Sequence, residues 1–264
     1  AAIVHDWQNK WALEGSCGPR NAGMGYWDEL KRHYNALARE GIAVEFVDQN
    51  ADLTGYGLVV VPMLYLLTDA FAKKLCAFAQ NGGTVIVTYW SGVVDESDLC
   101  RLGDTPYGLT ELLGLRRTEI DGMYDGETRS CMPEAGCTLP AAQASTLCEV
   151  AALDEENPAE PLSLYDEDYF AGHPAASVHR YGKGRAYYLA SRFDEAFYRA
   201  FYHDAAKEIG LSPAWPEALP EGVLAVRRGS FVFVQNCTEQ PATVGNTVLD
   251  RYRTAVWKDM DRIF

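Results

Sequence analysis

Two short runs of uninterrupted apolar residues constrain the fold of this 264-residue chain more than any other feature. Residues 58–62 read Leu-Val-Val-Val-Pro, and residues 84–89 read Thr-Val-Ile-Val-Thr-Tyr. A strand with one face in solvent alternates apolar and polar residues, whereas a continuous apolar run is typical of a strand covered on both faces in a parallel sheet. Both runs are therefore predicted to be inner strands of such a sheet.

Helical patterns separate the predicted strands. Apolar residues recur at helical spacing from Tyr26 to Gly41, and Thr68 or Asp69 can cap a second helix that follows the strand at 58–62. Further strands are predicted at 1–6 and 43–47, with a polar, glycine-rich loop from Trp7 to Gly25 between the first strand and the first helix. The order strand, helix, strand, strand, helix, strand predicts an α/β fold with a doubly wound, mostly parallel sheet.

The second half of the chain has a different character. Residues 115–170 contain only short β-like pieces, such as 116–120 and 162–169, among proline, glycine and acidic residues. Strands at 175–181 and 185–189 are joined by Gly182-Lys183-Gly184, a hairpin signal, and a helix is predicted from about 194 to 209.

A proline-rich linker follows, with Pro213, Pro216 and Pro220, and then four short strands are predicted at 223–226, 231–235, 242–244 and 254–257. The sequence thus predicts two domains: residues 1–212, and a small all-β domain at 213–264 that need not be complete at its end. The chain begins without methionine inside a strand-like run, Ala1 to His5, which favours a piece of a longer protein.

Composition excludes several classes of function. The net charge of −14 disfavours nucleic acid as a partner, since the phosphates would be repelled, while a neutral sugar carries no such penalty. No apolar run approaches the roughly 20 residues that a membrane span requires, and no secretory signal opens the chain. The seven cysteines form no C-x-x-C pair, which favours reduced thiols in a cytoplasmic protein and predicts no metal site.

Catalytic motifs are not found. No glycine-rich phosphate loop is present, so no nucleotide cofactor is predicted. The sheet pattern resembles that of class I glutamine amidotransferase-like and flavodoxin-like domains, and the former place a nucleophilic cysteine on a sharp turn after a central strand. The corresponding turn here is Thr88-Tyr89-Trp90-Ser91-Gly92, which has no cysteine, and Ser91 lacks the G-x-S-x-G context of a serine nucleophile. A turn or cap serine is the favoured interpretation of Ser91.

The carboxyl ends of the predicted parallel strands are where such sheets bind ligands. These ends and the loops after them carry a set of aromatic and polar residues that are candidates for contact with a substrate or with another subunit. They are Asp6, Trp7, Trp11, Tyr89, Trp90 and Ser91. Sugar binding, a protein interface and core packing all remain open for the aromatic members.

Several separated motifs resemble one known family when taken in order. They are Ala2-Ile3-Val4-His5-Asp6-Trp7, Leu58-Val59-Val60-Val61-Pro62-Met63-Leu64, Thr88-Tyr89-Trp90-Ser91-Gly92, Gly172-His173-Pro174-Ala175 and Tyr181-Gly182-Lys183-Gly184-Arg185. Residues 1–212 are similar to the trimerisation domain of family 42 glycoside hydrolases, which are β-galactosidases. The remainder is similar, less closely, to the small C-terminal β domain of that family.

The resemblance implies an assembly role. In that family the two catalytic glutamates belong to an N-terminal barrel, and the one that acts as acid and base directly follows an asparagine. No asparagine in this chain is followed by glutamate, so the resemblance assigns no catalytic residue to it. It implies a homotrimer, a separate catalytic barrel as partner, and a galactoside substrate reached only through a bacterial, cytoplasmic parent enzyme. Loops 7–27 and 90–107 are expected to wall a neighbouring active site. The alternatives are a free-standing carbohydrate-binding protein and a hydrolase that uses the amidotransferase-like pocket.

Overall fold

The computed structural model describes residues 1–16, 18 and 24–258 of the chain. An 11-stranded mixed sheet dominates it, and its parallel part has the strand order β10-β4-β3-β1-β2. These strands are β1 (Ala2–Val4), β2 (Glu45–Val47), β3 (Leu58–Val61), β4 (Thr84–Thr88) and β10 (Gly184–Leu189). Every residue of β3 and β4 is buried, which confirms their predicted place inside a parallel sheet.

Helices cover both faces of this part of the sheet. On one face, α3 (Asp69–Gln80) is capped by the hydroxyl of Thr68, which accepts a hydrogen bond from the amide of Phe71 at 3.2 Å. Its buried side packs in one apolar cluster with alternate residues of β3, β4 and β10. Tyr187 of β10 points the other way and contacts Phe201 of α5 (Glu195–Glu208), with ring centroids 5.2 Å apart. The predicted doubly wound α/β fold is confirmed.

The region after Asp6 differs from its prediction. Residues Trp7–Gly15 form helix α1, where a loop from Trp7 to Gly25 was expected, and the next helix, α2, spans Tyr26–Arg39 as predicted. Helix α1 has little amphipathic periodicity, so a pattern search does not find it. It is specified instead by the side chain of Asp6, which caps its first turn. Residues 17 and 19–23 of the predicted loop lie outside the described part of the chain.

The middle of the chain extends the same sheet in antiparallel fashion, in the order β11-β7-β6-β8-β9-β10, with β5 also paired to β7. The strands are β5 (Leu115–Gly122), β6 (Thr128–Pro133), β7 (Ala142–Leu153), β8 (Glu160–Tyr165), β9 (Pro174–Tyr181) and β11 (Ser191–Arg192). A single helical turn, α4 (Thr110–Leu113), precedes β5. The hairpin of β9 and β10 was predicted correctly.

The C-terminal strands form two small antiparallel sheets with the order β12-β13-β16 and β14-β15. They are β12 (Val223–Arg228), β13 (Phe231–Asn236), β14 (Ala242–Val244), β15 (Thr247–Leu249) and β16 (Thr254–Lys258). Their inner residues pack around Trp215 in a cluster of their own. The side-chain amide of Asn236 donates hydrogen bonds to the carbonyl oxygens of Gln240, Leu249 and Asp250 and thereby joins the two sheets.

The contacts between Cα atoms divide the chain into two units, residues 1–33 with 45–201 and residues 34–44 with 202–264. This division cuts through α2 and α5, so the domain boundary at 212/213 stays a prediction. None of the described helices is both long and apolar enough to cross a membrane.

Candidate interaction site at the carboxyl edge of the parallel strands

Three exposed tryptophans gather where β1 ends. Trp7, Trp11 and Trp27 expose 54%, 59% and 43% of their surface, and we call them the tryptophan patch. Helix α1 places Trp7 and Trp11 one turn apart on the same face, with ring centroids 6.3 Å apart, and Trp27 at the start of α2 lies 6.0 Å from Trp7. His5 supports the patch from below, because its ring stacks on Trp27 at 4.9 Å and meets the edge of Trp7 at 5.0 Å. Burial lowers the pKa of His5, which favours the neutral form of the ring.

Asp6, predicted beside the tryptophans, is turned inward. Its carboxylate accepts hydrogen bonds from the amides of Gln8 at 2.8 Å and Asn9 at 3.3 Å, and from the side chain of Gln49 at 3.3 Å. The side chain of Asn9 in turn accepts from Leu66 N at 2.9 Å and donates to the carbonyl of Met63 at 3.0 Å. Asp6 therefore shapes the loops at this edge and presents no free carboxylate to a ligand.

Tyr89, Trp90 and Ser91 are also buried. The hydroxyl of Ser91 is fully inaccessible and accepts a hydrogen bond from Leu64 N at 3.0 Å, which ties the turn after β4 to the turn after β3. Within the described residues, no histidine is hydrogen-bonded to this hydroxyl. The six predicted site residues thus separate into two exposed tryptophans and four buried residues with structural contacts.

Trp90 occupies the sharp turn after β4 in a left-handed backbone conformation, with φ of 59°. A bulky residue rarely adopts this conformation, and here a buried carboxylate supports it. Glu149 of β7 accepts hydrogen bonds from Trp90 N at 2.9 Å and from the guanidinium of Arg117 at 2.7 Å, and also from the hydroxyl of Tyr188. The indole of Trp90 stacks on Tyr65 with centroids 5.6 Å apart, so it fills the space above the turn.

A second buried carboxylate lies on the other face of the sheet. Glu29 pairs with Arg192 at 2.8 Å, accepts from the hydroxyl of Tyr198 at 2.8 Å, and lies 3.2 Å from the ring of His33. Burial alone would raise the pKa of Glu29. The hydrogen bond and charge of His33, the charge of Arg192 and the hydrogen bond from Tyr198 outweigh it and lower the pKa to about 2. The same guanidinium donates to the hydroxyl of Tyr89 at 3.0 Å, so the polar atom of this buried predicted site residue has a partner.

Sequence reasoning did not find these two ionic clusters. A signal was present, since Glu149 stands in the apolar run Leu147-Cys148-Glu149-Val150 and Arg192 precedes Phe193 in another buried stretch. A charged residue inside a predicted buried strand must have a partner. The identity of that partner depends on tertiary contacts across 32 positions for Arg117 and 163 for Glu29.

No described group of three or more His, Cys, Asp or Glu side chains is arranged to hold a metal ion. An open cleft of about 500 Å³ lies at the opposite, amino edge of the sheet, next to Lys74 and Asn81. The ammonium of Lys74 already donates to the backbone carbonyl oxygens of Gln49 and Ala51. The side-chain amide of Asn81 donates to the backbone carbonyl oxygen of Ala77. These polar groups are committed to the fold, and the tryptophan patch is the better candidate site.

Comparison with known proteins agrees with the geometry. Residues 1–212 match the family described as the β-galactosidase trimerisation domain. The β-galactosidase BglY of Alicyclobacillus acidocaldarius is 44% identical over 251 residues, which cover 92% of this chain and 36% of BglY. The β-galactosidase Pbg of Clostridium perfringens is 34% identical over 256 residues, which cover 94% of this chain and 37% of Pbg.

Solved structures give the same picture. A β-galactosidase from Rahnella sp. R3 superposes with a TM-score of 0.90 at 39% identity, covering 97% of this chain and 40% of that one. The chain therefore spans well under half the length of the relatives that it matches.

Proposed function

Because the chain belongs to the β-galactosidase trimerisation domain family of family 42 glycoside hydrolases, we propose that it is the non-catalytic assembly region of a β-galactosidase and that three copies form a closed ring. In this proposal residues 1–212 carry the assembly function and residues 213–264 are a separate small β domain. The hydrolysis of terminal β-D-galactosides belongs to a catalytic barrel that this chain does not contain. A bacterial, cytoplasmic setting is part of the same proposal.

The exposed tryptophan patch is the observation that carries the proposal. Indole rings are strongly enriched at protein interfaces, and three adjacent ones that are each about half exposed are costly to leave in water. A cyclic trimer uses two different surfaces of each subunit, so one patch can pack against a neighbour without requiring an identical patch opposite it. We propose that Trp7 and Trp11 face the neighbouring subunit and its active site.

The turn after β4 supports a non-catalytic role. Its left-handed backbone at Trp90 has the sharp geometry that amidotransferase-like domains use to display a nucleophile, and we propose that the fold is a degenerate member of that group. In this chain the position is occupied by the indole of Trp90, which is buried. The hydroxyl of the neighbouring Ser91 accepts a hydrogen bond from Leu64 N. We therefore expect the chain to release no product from glutamine or from simple esters. Turnover that disappears in Ser91→Ala would favour the alternative of a hydrolase.

The proposal is tested by the solution mass of the chain, measured by light scattering behind a sizing column across a range of concentrations. A mass of three chains supports assembly through the chain's own surface, and a monomer at every concentration contradicts it. The double variant Trp7→Ala/Trp11→Ala should weaken the trimer. Tyr124→Ala, which removes a still more exposed ring (82%) elsewhere on the surface, should not.

The exposed indoles also favour a second candidate function, carbohydrate binding, because sugar rings stack on such surfaces. Titration with galactose oligosaccharides, followed by tryptophan fluorescence, separates the two functions. Binding by a monomeric chain, lost in Trp7→Ala/Trp11→Ala, would favour the second. In the complete β-galactosidase, near-normal activity of the same double variant would contradict the expected contact with the active site.

A further inference from the structure

The three-stranded sheet β12-β13-β16 buries one of its faces and exposes the other. Side chains alternate between the two faces along a strand. In β13, Val232 and Val234 are fully buried and pack in the cluster around Trp215. Phe231 and Phe233 of the same strand point to the opposite face, where they expose 40% and 39% of their surface. The core of the C-terminal strands therefore covers only one side of this sheet.

The strand register brings further apolar residues onto the exposed side. Phe233 lies directly opposite Val226 of β12 and Val256 of β16, and Val256 is 53% exposed. Residues directly opposite each other in an antiparallel pair share a face, with Cβ atoms about 4.5–5.5 Å apart. We call the four adjacent residues on this side the outer apolar face: Val226, Phe231, Phe233 and Val256. A contiguous apolar surface marks a binding region, whereas single exposed apolar residues are ordinary.

The charges beside the outer apolar face are positive. Arg228 and Lys258 are both in register with Phe231, and the ammonium of Lys258 lies 5.9 Å from the centre of that ring. None of the described strand residues on this side of the sheet is acidic. Residues 222–258 contain five Lys or Arg and two Asp or Glu, a net charge of +3, whereas the whole chain carries −14. A complementary partner therefore presents apolar side chains bordered by carboxylates.

The matches to known β-galactosidases favour a partner within the same polypeptide. They cover 92% and 94% of this chain in BglY and Pbg, more than the trimerisation family, which ends at residue 212. The C-terminal strands thus accompany β-galactosidases although they lie outside the family's assembly module. The same matches span only 36% and 37% of BglY and Pbg, so most of each relative lies outside the matched region. Apolar contact surfaces are typical of permanent partners, and a domain of the same polypeptide is permanently present.

We infer that the outer apolar face is the docking surface for the catalytic domain of the same polypeptide. The catalytic domain meets it with an apolar patch and places carboxylates next to Arg228 and Lys258. This inference rests on the proposed function, because it requires a catalytic domain outside this chain. It concerns a contact inside one polypeptide and is independent of the contacts between subunits.

The test compares the 264-residue chain with the complete β-galactosidase by hydroxyl-radical footprinting and peptide mass spectrometry. Oxidation of Phe231 and Phe233 should be about fivefold slower in the complete enzyme, because rings that are 40% and 39% exposed in the chain become buried there. Tyr252, which is 59% exposed in the turn before β16, is the control for the general reactivity of these strands. Its rate should be the same in both proteins.

A charge reversal distinguishes docking from a local change in the sheet. In the complete enzyme, Arg228→Glu/Lys258→Glu should restore most of the oxidation of the two rings, because it places like charges against the carboxylates of the catalytic domain. In the 264-residue chain the same double variant should leave their oxidation unchanged. Arg251→Glu, in the turn before β16, reverses a charge away from the face and should not change either protein.

The other outcomes separate this inference from the proposed function. Rings that are oxidised equally fast in both proteins would overturn the docking surface, while the assembly proposal would stand on the solution mass. Protection that develops in the 264-residue chain as its concentration rises would assign the face to a second copy and overturn the inference. Protection of the chain by added galactose oligosaccharides would assign the face to a sugar and overturn it as well. A reading frame that encodes no catalytic domain beside this chain would contradict the proposed function, and the docking surface with it.

Discussion

The backbone amide of Trp90 donates to the buried carboxylate of Glu149 at 2.9 Å, across 59 positions of sequence. The amide belongs to a residue with φ of 59°, in the turn that follows the central strand β4. The carboxylate belongs to β7, in the antiparallel half of the sheet. One hydrogen bond thus joins the two halves at the point where the predicted site residues converge, and it helps to hold a backbone conformation that tryptophan would otherwise avoid.

The strain at Trp90 predicts an unusual order of stability between two truncations. Inside a strand or helix, a glycine variant normally has a free energy of unfolding about 0.5–1 kcal/mol lower than the alanine variant. At a left-handed position alanine is strained, so Trp90→Gly should be more stable than Trp90→Ala by about 1 kcal/mol. Both should lose several kcal/mol relative to the wild type, because the indole is only 5% exposed. Urea unfolding measures the free energy of each variant.

Tyr65, which stacks on Trp90 and has no left-handed backbone, is the matched control. There, the glycine variant should be the less stable of the two. An alanine variant that is the more stable one at position 90 would show that the turn is not strained.

Because Glu149 and Arg117 form a buried ion pair, removing one of the two charges should greatly lower the free energy of unfolding. Both side chains are nearly inaccessible, at 0% and 5% exposure. Glu149→Gln retains the shape but leaves the guanidinium without a counter-charge, and we expect a loss of about 3–5 kcal/mol in the free energy of unfolding. Glu155→Gln, in an exposed loop, should change stability by no more than about 0.5 kcal/mol. A loss below about 1 kcal/mol at position 149 would mean that water or another group compensates Arg117.

The parallel half of the fold could be predicted because its signals are local. The apolar runs of β3 and β4, the Thr68 cap and the glycines between β9 and β10 each specify an element without reference to the rest of the chain. The 12-residue strand β7 could not be predicted in this way. It contains four alanines, which have little preference for strands, and its pairing with β5, β6 and β11 determines its conformation.

The candidate site was predictable in its location but not in its burial. Strand order places Trp7 and Trp90 at the same edge of the sheet, and both are tryptophans that follow a strand. Only the tertiary structure distinguishes them, since α1 turns Trp7 outward while Tyr65 covers Trp90. For the same reason a Trp90→Ala variant reports on stability, whereas Trp7→Ala and Trp11→Ala can report on an interface.

Glu29 predicts a specific dependence of stability on pH. Its pKa in the folded chain is about 2, below the ordinary value of 4.5. The unfolded chain therefore takes up the proton first as the pH falls, and the stabilisation, complete above about pH 5, is lost progressively towards pH 2. The difference in unfolding free energy between wild type and Glu29→Gln should shrink by about 2 kcal/mol between pH 6 and pH 3.

Asp28→Asn is the control for this measurement, because Asp28 is adjacent in sequence but exposed. Its pH profile should run parallel to that of the wild type. A Glu29→Gln profile that also runs parallel would show that the contacts with His33, Arg192 and Tyr198 do not lower the pKa of Glu29.

The cysteines should divide into reactive and unreactive groups according to burial. Burial raises the pKa of Cys131 and of Cys148 to about 12, so at pH 8 almost none of either thiol is ionised, and neither is accessible. Cys100 and Cys237 are exposed. Iodoacetamide at pH 8, followed by peptide mass spectrometry, should label the exposed pair within minutes and the buried pair only after denaturation.

Labelling in guanidinium chloride provides the control for intrinsic reactivity. If Cys131 and Cys148 reacted in the native chain as fast as Cys100, the structure around β6 and β7 would have to open on that timescale, because both side chains are fully buried in the folded chain.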